Sequence, residues 1–118
     1  MRIYVAGKMS ELPDGEARMK FAEAAMRLRE RGHLVMDPAV QYGNPGFEHE
    51  DYMHVCYAMI DRCEAVYMLS DWRDSKGARL ELQYAADWGK VILYEDEHTR
   101  EEGYPVVRGD AGYSVKED

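Results

Sequence analysis

Apolar residues along this chain fall into two alternating kinds of run. The first kind is short, unbroken and rich in residues that favour β structure: Ile3 to Ala6, Leu34 to Met36, Ala65 to Leu69, and Val91 to Tyr94. Unbroken runs of this length fit strands buried on both faces of a parallel sheet. The second kind is longer and mixes apolar and charged residues near helical spacing. It predicts helices over Gly15 to Arg31 (stripe Met19, Ala22, Met26, Leu28), Glu48 to Arg62 (stripe Tyr52, Val55, Cys56, Met59, Ile60) and Gly77 to Trp88. Gly32 and Gly89 sit where helix stops are expected. The element order is β-α-β-α-β-α-β, which implies a three-layer α/β fold with a parallel sheet and helices on both faces. Ligands of such sheets bind beyond the carboxyl ends of the strands. That selects the loops after Ala6, Met36 and Leu69.

The stretch from Glu95 onward breaks the pattern. It is acidic and then glycine-rich, and Val106-Val107-Arg108 is the one segment there that could add a fifth, edge strand. The expected division is a domain over residues 1–95 and an extension over 96–118.

Bulk properties narrow the function. With 118 residues the chain is one domain, and a net charge of -8 disfavours a nucleic-acid polymer or an anionic membrane as partner. No apolar run is long enough to span a bilayer, and the N-terminus does not read as a secretory signal. Cys56 and Cys63 lack the further ligands of a zinc site and read as reduced structural thiols, so a cytoplasmic protein without metal or cofactor is expected.

The chemistry concentrates in Asp71-Trp72-Arg73-Asp74-Ser75-Lys76-Gly77-Ala78-Arg79-Leu80-Glu81, a loop that leaves a buried strand and opens a helix. Ser75 or Asp74 suits an N-cap. Gly77 and Ala78 are small enough to let a ligand reach the N–H groups of the first turn. Glu81 follows one turn later, with Ala78 and Ala85 on its face. A partly desolvated carboxylate there needs a task or a partner. Cleavage of a glycosidic bond uses such a group, to trap the anomeric carbon or to stabilise its developing charge. Periodicity alone favours a solvated Glu81 paired with Arg79 or Lys76. Lys8 is a candidate contact for a ligand phosphate, with a plain surface lysine the stronger reading of its residue type alone. Tyr4 is core by default, and Asp37 before a proline is a turn former or a ligand of the second loop. Trp72 and Tyr42 are aromatic enough to stack on a base. His49 and His54 are five apart, off the spacing of a helical metal pair.

Taken in order, these segments resemble the small nucleoside 2-deoxyribosyltransferase-like proteins, in particular the DUF4406 group. The resemblance rests on Ile3-Tyr4-Val5-Ala6-Gly7-Lys8-Met9, Gly32-His33, Asp37-Pro38-Ala39, Asp51-Tyr52-Met53, Cys63-Glu64-Ala65-Val66-Tyr67-Met68-Leu69, Trp72, and Ser75 to Glu81. It implies a Rossmann-like (flavodoxin-like) sheet of four to five strands, and Glu81 as nucleophile. It also implies Tyr4 and Gly7 as pocket wall, Ser75 and Gly77 near the substrate, and a homodimer or larger assembly. The implied activity is cleavage or transfer at the N-glycosidic bond of a (deoxy)nucleoside or nucleoside 5′-monophosphate. Two positions depart from the family pattern. Cys56 stands where relatives carry an Asp in the second helix, and Glu64 replaces the usual Asp before the third strand. The Cys56 departure leaves a non-catalytic nucleotide-binding module as the alternative. An interaction protein working through its acidic surface is a third reading, and it requires an exposed Glu81.

Overall fold

The computed structural model describes residues 1–13, 15–41 and 44–96. Tyr42 and the expected edge strand at 106–108 lie outside the described residues. Four strands and three helices alternate: β1 (Arg2–Ala6), α1 (Glu16–Glu30), β2 (Leu34–Met36), α2 (His49–Asp61), β3 (Ala65–Met68), α3 (Lys76–Asp87) and β4 (Val91–Tyr94). Two 3-10 turns, Pro38–Gln41 and Trp72–Asp74, occupy segments expected to be plain loops.

The strands form one parallel sheet in the order β2-β1-β3-β4. In register, Ile3 pairs with Val35 on one side and Ala65 on the other, and Val66 pairs with Ile92. Leaving β1 the chain first goes outward to β2 and then returns past β1 to β3. The crevice of a sheet wound this way opens at the carboxyl ends of β1 and β3.

Alternation along each strand assigns its side chains to two cores. Ile3, Val5, Ala65 and Val91 pack with Phe21, Ala24 and Leu28 of α1. Tyr4, Ala6, Val66, Met68 and Ile92 face the other way, against Cys56 and Ile60 of α2 and Ala78 and Ala85 of α3. Helices therefore cover both faces.

Two expected stripes are corrected. On α1 the buried face is Phe21, Ala24, Ala25 and Leu28, while Met19 and Met26 are 65% and 59% exposed and Ala22 is exposed. A large anchor followed by alanines at i+3 and i+4 lets the helix lie close on the sheet, and the methionines flank that contact. On α2 the buried residues are Met53, Cys56 and Ile60, and Val55 faces outward.

Candidate active site

The start of α3 is set by Ser75, whose Oγ accepts the N–H of Ala78 at 3.1 Å. That cap fixes the phase of the helix, so Ala78, Glu81 and Ala85 form its inner face. Glu81 is 2% exposed and is the one buried charged side chain among the described residues. The solvated Glu81 and the exposed Glu81 of an acidic interaction surface are both overturned by this burial.

A buried carboxylate requires partners. Tyr4, fully buried on β1, donates its hydroxyl to Glu81 Oε2 at 2.6 Å. It reaches because the alternation of β1 turns Tyr4 towards the face that carries α2 and α3. Cys56 of α2 is the third member, its thiol close enough to the same carboxylate for each to shift the other's proton affinity. Burial raises the Glu81 carboxyl to about 7, and the hydrogen bond from Tyr4 and the nearby Cys56 thiol partly oppose that rise. Burial and the neighbouring Glu81 push the Cys56 thiol up to about 12 and the Tyr4 hydroxyl well above its ordinary value. Tyr4 and Cys56 are thus neutral donors, and Glu81 is the group that titrates near neutrality.

A narrow cleft of about 50 Å³ leads to Glu81. Gly7, Met9 and Ser10 form one wall, from the loop after β1. His49, Tyr52, Met53 and Cys56 come from α2, and Ser75, Gly77 and Ala78 from the start of α3. The α2 wall is anchored at its own N-terminus, where the Asp51 carboxylate accepts the N–H of Glu48 at 2.8 Å. Tyr52 also donates to the Asn44 carbonyl at 2.9 Å and accepts its N–H at 2.7 Å. A Cβ on Gly77 would lie 3.5 Å from both His49 Cε1 and Met53 Sδ, inside the cleft. A Cβ on Gly7 would come within 2.8 Å of the Leu69 side chain, so this glycine is held by packing as well as by its place at the cleft.

The residues anticipated from sequence divide. Gly7, Ser75, Gly77 and Glu81 line the cleft, and Tyr4 stands behind Glu81 rather than in its wall. Lys8, Asp37 and Trp72 do not line it. Lys8 gives its N–H to Asp71 Oδ1 at 3.1 Å, and its ammonium lies 3.7 Å from Glu11. Asp37 Oδ1 accepts the N–H of Ala39 at 2.9 Å, a local turn, and burial raises its carboxyl. Trp72 packs towards Tyr94, ring centroids 6.0 Å apart, with the Arg73 guanidinium 5.0 Å from its ring. His54 borders a separate hollow of about 460 Å³ with Phe47, Val55 and Tyr52, on the outer side of α2, where no carboxylate is buried. No cluster of three metal-ligating side chains occurs among the described residues.

His49, Ser10 and Met9 are lining residues that sequence reasoning did not place at the site. The signal available for His49 was its position as the first residue of a helix beginning beside the ligand edge of the sheet.

A second lock steadies the cleft from the opposite face. The Lys20 ammonium of α1 bonds both the Asp71 carboxylate and the Lys8 carbonyl, the latter at 2.9 Å. Together with the Lys8 N–H to Asp71, this ties the loop after β1 to the loop after β3.

Residues 1–94 match the family model described as "Domain of unknown function (DUF4406)". No protein of described function matches by sequence. Among solved structures the fold is similar to that of the Clostridium botulinum CMP N-glycosidase BcmB. The TM-score is 0.54 and the identity 18%, over 83% of this chain and 73% of that one. At that identity the likeness is one of fold. No helix among the described residues is long and apolar enough to cross a membrane.

Proposed function

The chain belongs to the DUF4406 family, and we propose that it cleaves or transfers at the N-glycosidic bond of a small (deoxy)nucleoside or nucleoside 5′-monophosphate, with Glu81 as the nucleophile. The observation that carries this reading is the buried Glu81 carboxylate, held by Tyr4 at the bottom of a cleft on the ligand edge of the sheet. A structural cost of that kind is characteristic of functional carboxylates. The likeness of fold to a CMP N-glycosidase supports the nucleotide class of substrate.

The reacting centre is a sugar C1′ carrying a base. Its departure leaves positive charge on the sugar ring, which a carboxylate oxygen can stabilise or bond. Tyr4 pins Oε2, which fixes the orientation of the carboxylate towards the cleft. Desolvation makes the ionised form reactive, because no water shell has to be removed before attack. A deep volume of about 50 Å³ is below the several hundred Å³ usual for small-molecule sites. It suits the reacting centre, while the rest of the ligand would spread over the mouth and be covered there by a second copy in the proposed homodimer. Two buried, free thiols fit a reducing, cytoplasmic setting.

The test is release of free base from a panel of nucleosides and their 5′-monophosphates, run beside Glu81→Ala. Turnover that survives the substitution overturns the role of Glu81. The second reading, a nucleotide-binding module without turnover, is favoured by Cys56, which puts a thiol where relatives carry a carboxylate. It predicts that nucleotides raise the melting temperature with no base released.

A further inference from the structure

We propose that His49 is the acid–base partner of Glu81, giving a proton to the departing base and taking one back from the water or acceptor that follows. This rests on the N-glycosidic reading above and adds to it a second catalytic residue.

The placement comes from two helix starts that meet across the cleft. His49 is the first residue of α2, and its ring lies against the face of Gly77: Cε1 is 3.5 Å from where a Cβ on that glycine would be. Gly77 and Glu81 are four apart on α3, and side-chain positions four apart lie on one helix face at about 5–6 Å. The imidazole and the Glu81 carboxylate therefore line the same cleft.

Elimination among the lining groups leads to the same residue. The Ser75 hydroxyl is engaged as the cap of α3 and the Tyr52 hydroxyl with the Asn44 backbone. The Cys56 thiol holds its proton to about 12. Ser10 carries an alcohol, a poor donor of protons to a leaving base. Histidine is the side chain suited to giving and taking a proton near neutrality. Its exposure at the mouth of the cleft also gives solvent access for the second step.

In the first step a Glu81 oxygen bonds to C1′ as the C1′–N bond breaks. The electron pair of that bond goes to the base, which takes the proton from His49. In the second step water bonds to C1′ through its oxygen, loses a proton to His49, and displaces Glu81. Water is consumed, and free base and sugar are released. With a second base as acceptor, nitrogen replaces the water oxygen and the outcome is transfer.

The experiment uses leaving groups that do and do not need a proton. Wild type, His49→Ala, His49→Gln and Glu81→Ala are assayed on CMP and GMP, and on 3-methyl-CMP and 7-methyl-GMP, whose bases already carry the charge. The unmodified nucleosides follow in the same format. The expected result is a loss of about 100-fold or more in kcat on the unmodified substrates for both His49 variants. The methylated substrates should lose less than about tenfold, and added imidazole should restore His49→Ala. Glu81→Ala should lose both classes. Equal loss on both classes, or no loss on either, overturns the role of His49 and leaves Glu81 standing. Wild type that releases base from no substrate overturns the N-glycosidic reading and this inference with it.

Discussion

Replacing Glu81 by Gln isolates what the buried charge costs the fold. The glutamine keeps the shape of the side chain, and its carbonyl can still accept the Tyr4 hydroxyl that now lies 2.6 Å from Oε2. What it removes is ionisation. In the folded protein the carboxyl is raised from its ordinary 4.5 to about 7. The native state therefore binds a proton more tightly than the unfolded chain. The stability linked to that proton is fully present below about pH 4.5, falls as pH rises, and is lost once pH passes 7. At 1.36 kcal/mol per tenfold change in proton affinity, ionising Glu81 costs on the order of 3 kcal/mol. The assay is urea unfolding of wild type and Glu81→Gln at half-unit steps from pH 5 to 8.5. Taking the difference between the two proteins cancels the titration of all other groups. Glu81→Gln should gain on wild type as pH rises, by roughly 3 kcal/mol at pH 8, while releasing no base. Curves that run parallel across the range would refute the claim that Glu81 is buried at a cost. A variant that loses ground at high pH would show the sign to be wrong.

Other expectations follow from the same geometry. If Glu81 acts ionised, the acid limb of the kcat/KM profile should rise with pH with a midpoint near 7. Tyr4→Phe removes a hydrogen bond that favours the charged form, so it should move that midpoint upward by about one unit, read from the pH–rate profile. Gly77→Val should leave the melting temperature within a few degrees but raise KM at least about tenfold, because its side chain would occupy the space between His49 and Met53. Ser75→Ala should lower stability by about 1 kcal/mol in urea unfolding, through loss of the cap to the Ala78 N–H.

How much of this was legible in the chain depends on how local each feature is. The four strands could be placed because their apolar runs are unbroken, and the sheet order fits the alternation with helices. The face of α1 was misread because methionines outweigh alanines on any hydrophobic count. In the fold the alanines beside Phe21 permit close approach and the methionines do not. The exposure of Leu34 and Met36 was equally hidden: β2 pairs with β1 alone, and edge position is a property of the whole sheet. At the site, Ala78 and Ala85 already marked a small, apolar face around Glu81. That Tyr4 would meet it follows from strand alternation only after the sheet order is known. Cys56 was marked by register with related sequences, and the structure sets it beside Glu81. His49 could not be found this way, because its nearness to Gly77 depends on how two helix starts pack against each other. Lys8 and Trp72 looked apt by residue type, but local partners hold them away from the cleft.

The lock made by Lys20 has a consequence for how this protein tolerates change. Its ammonium belongs to α1, on the far side of the sheet from Glu81, yet it joins the two loops that begin the cleft walls. Natural or laboratory variation in α1 is therefore not free to drift as a remote surface would be. In a random library scored for loss of activity, substitutions at Lys20 and Asp71 should recur alongside those at Glu81. Second-site changes that restore them should fall in the opposite loop, not in α3.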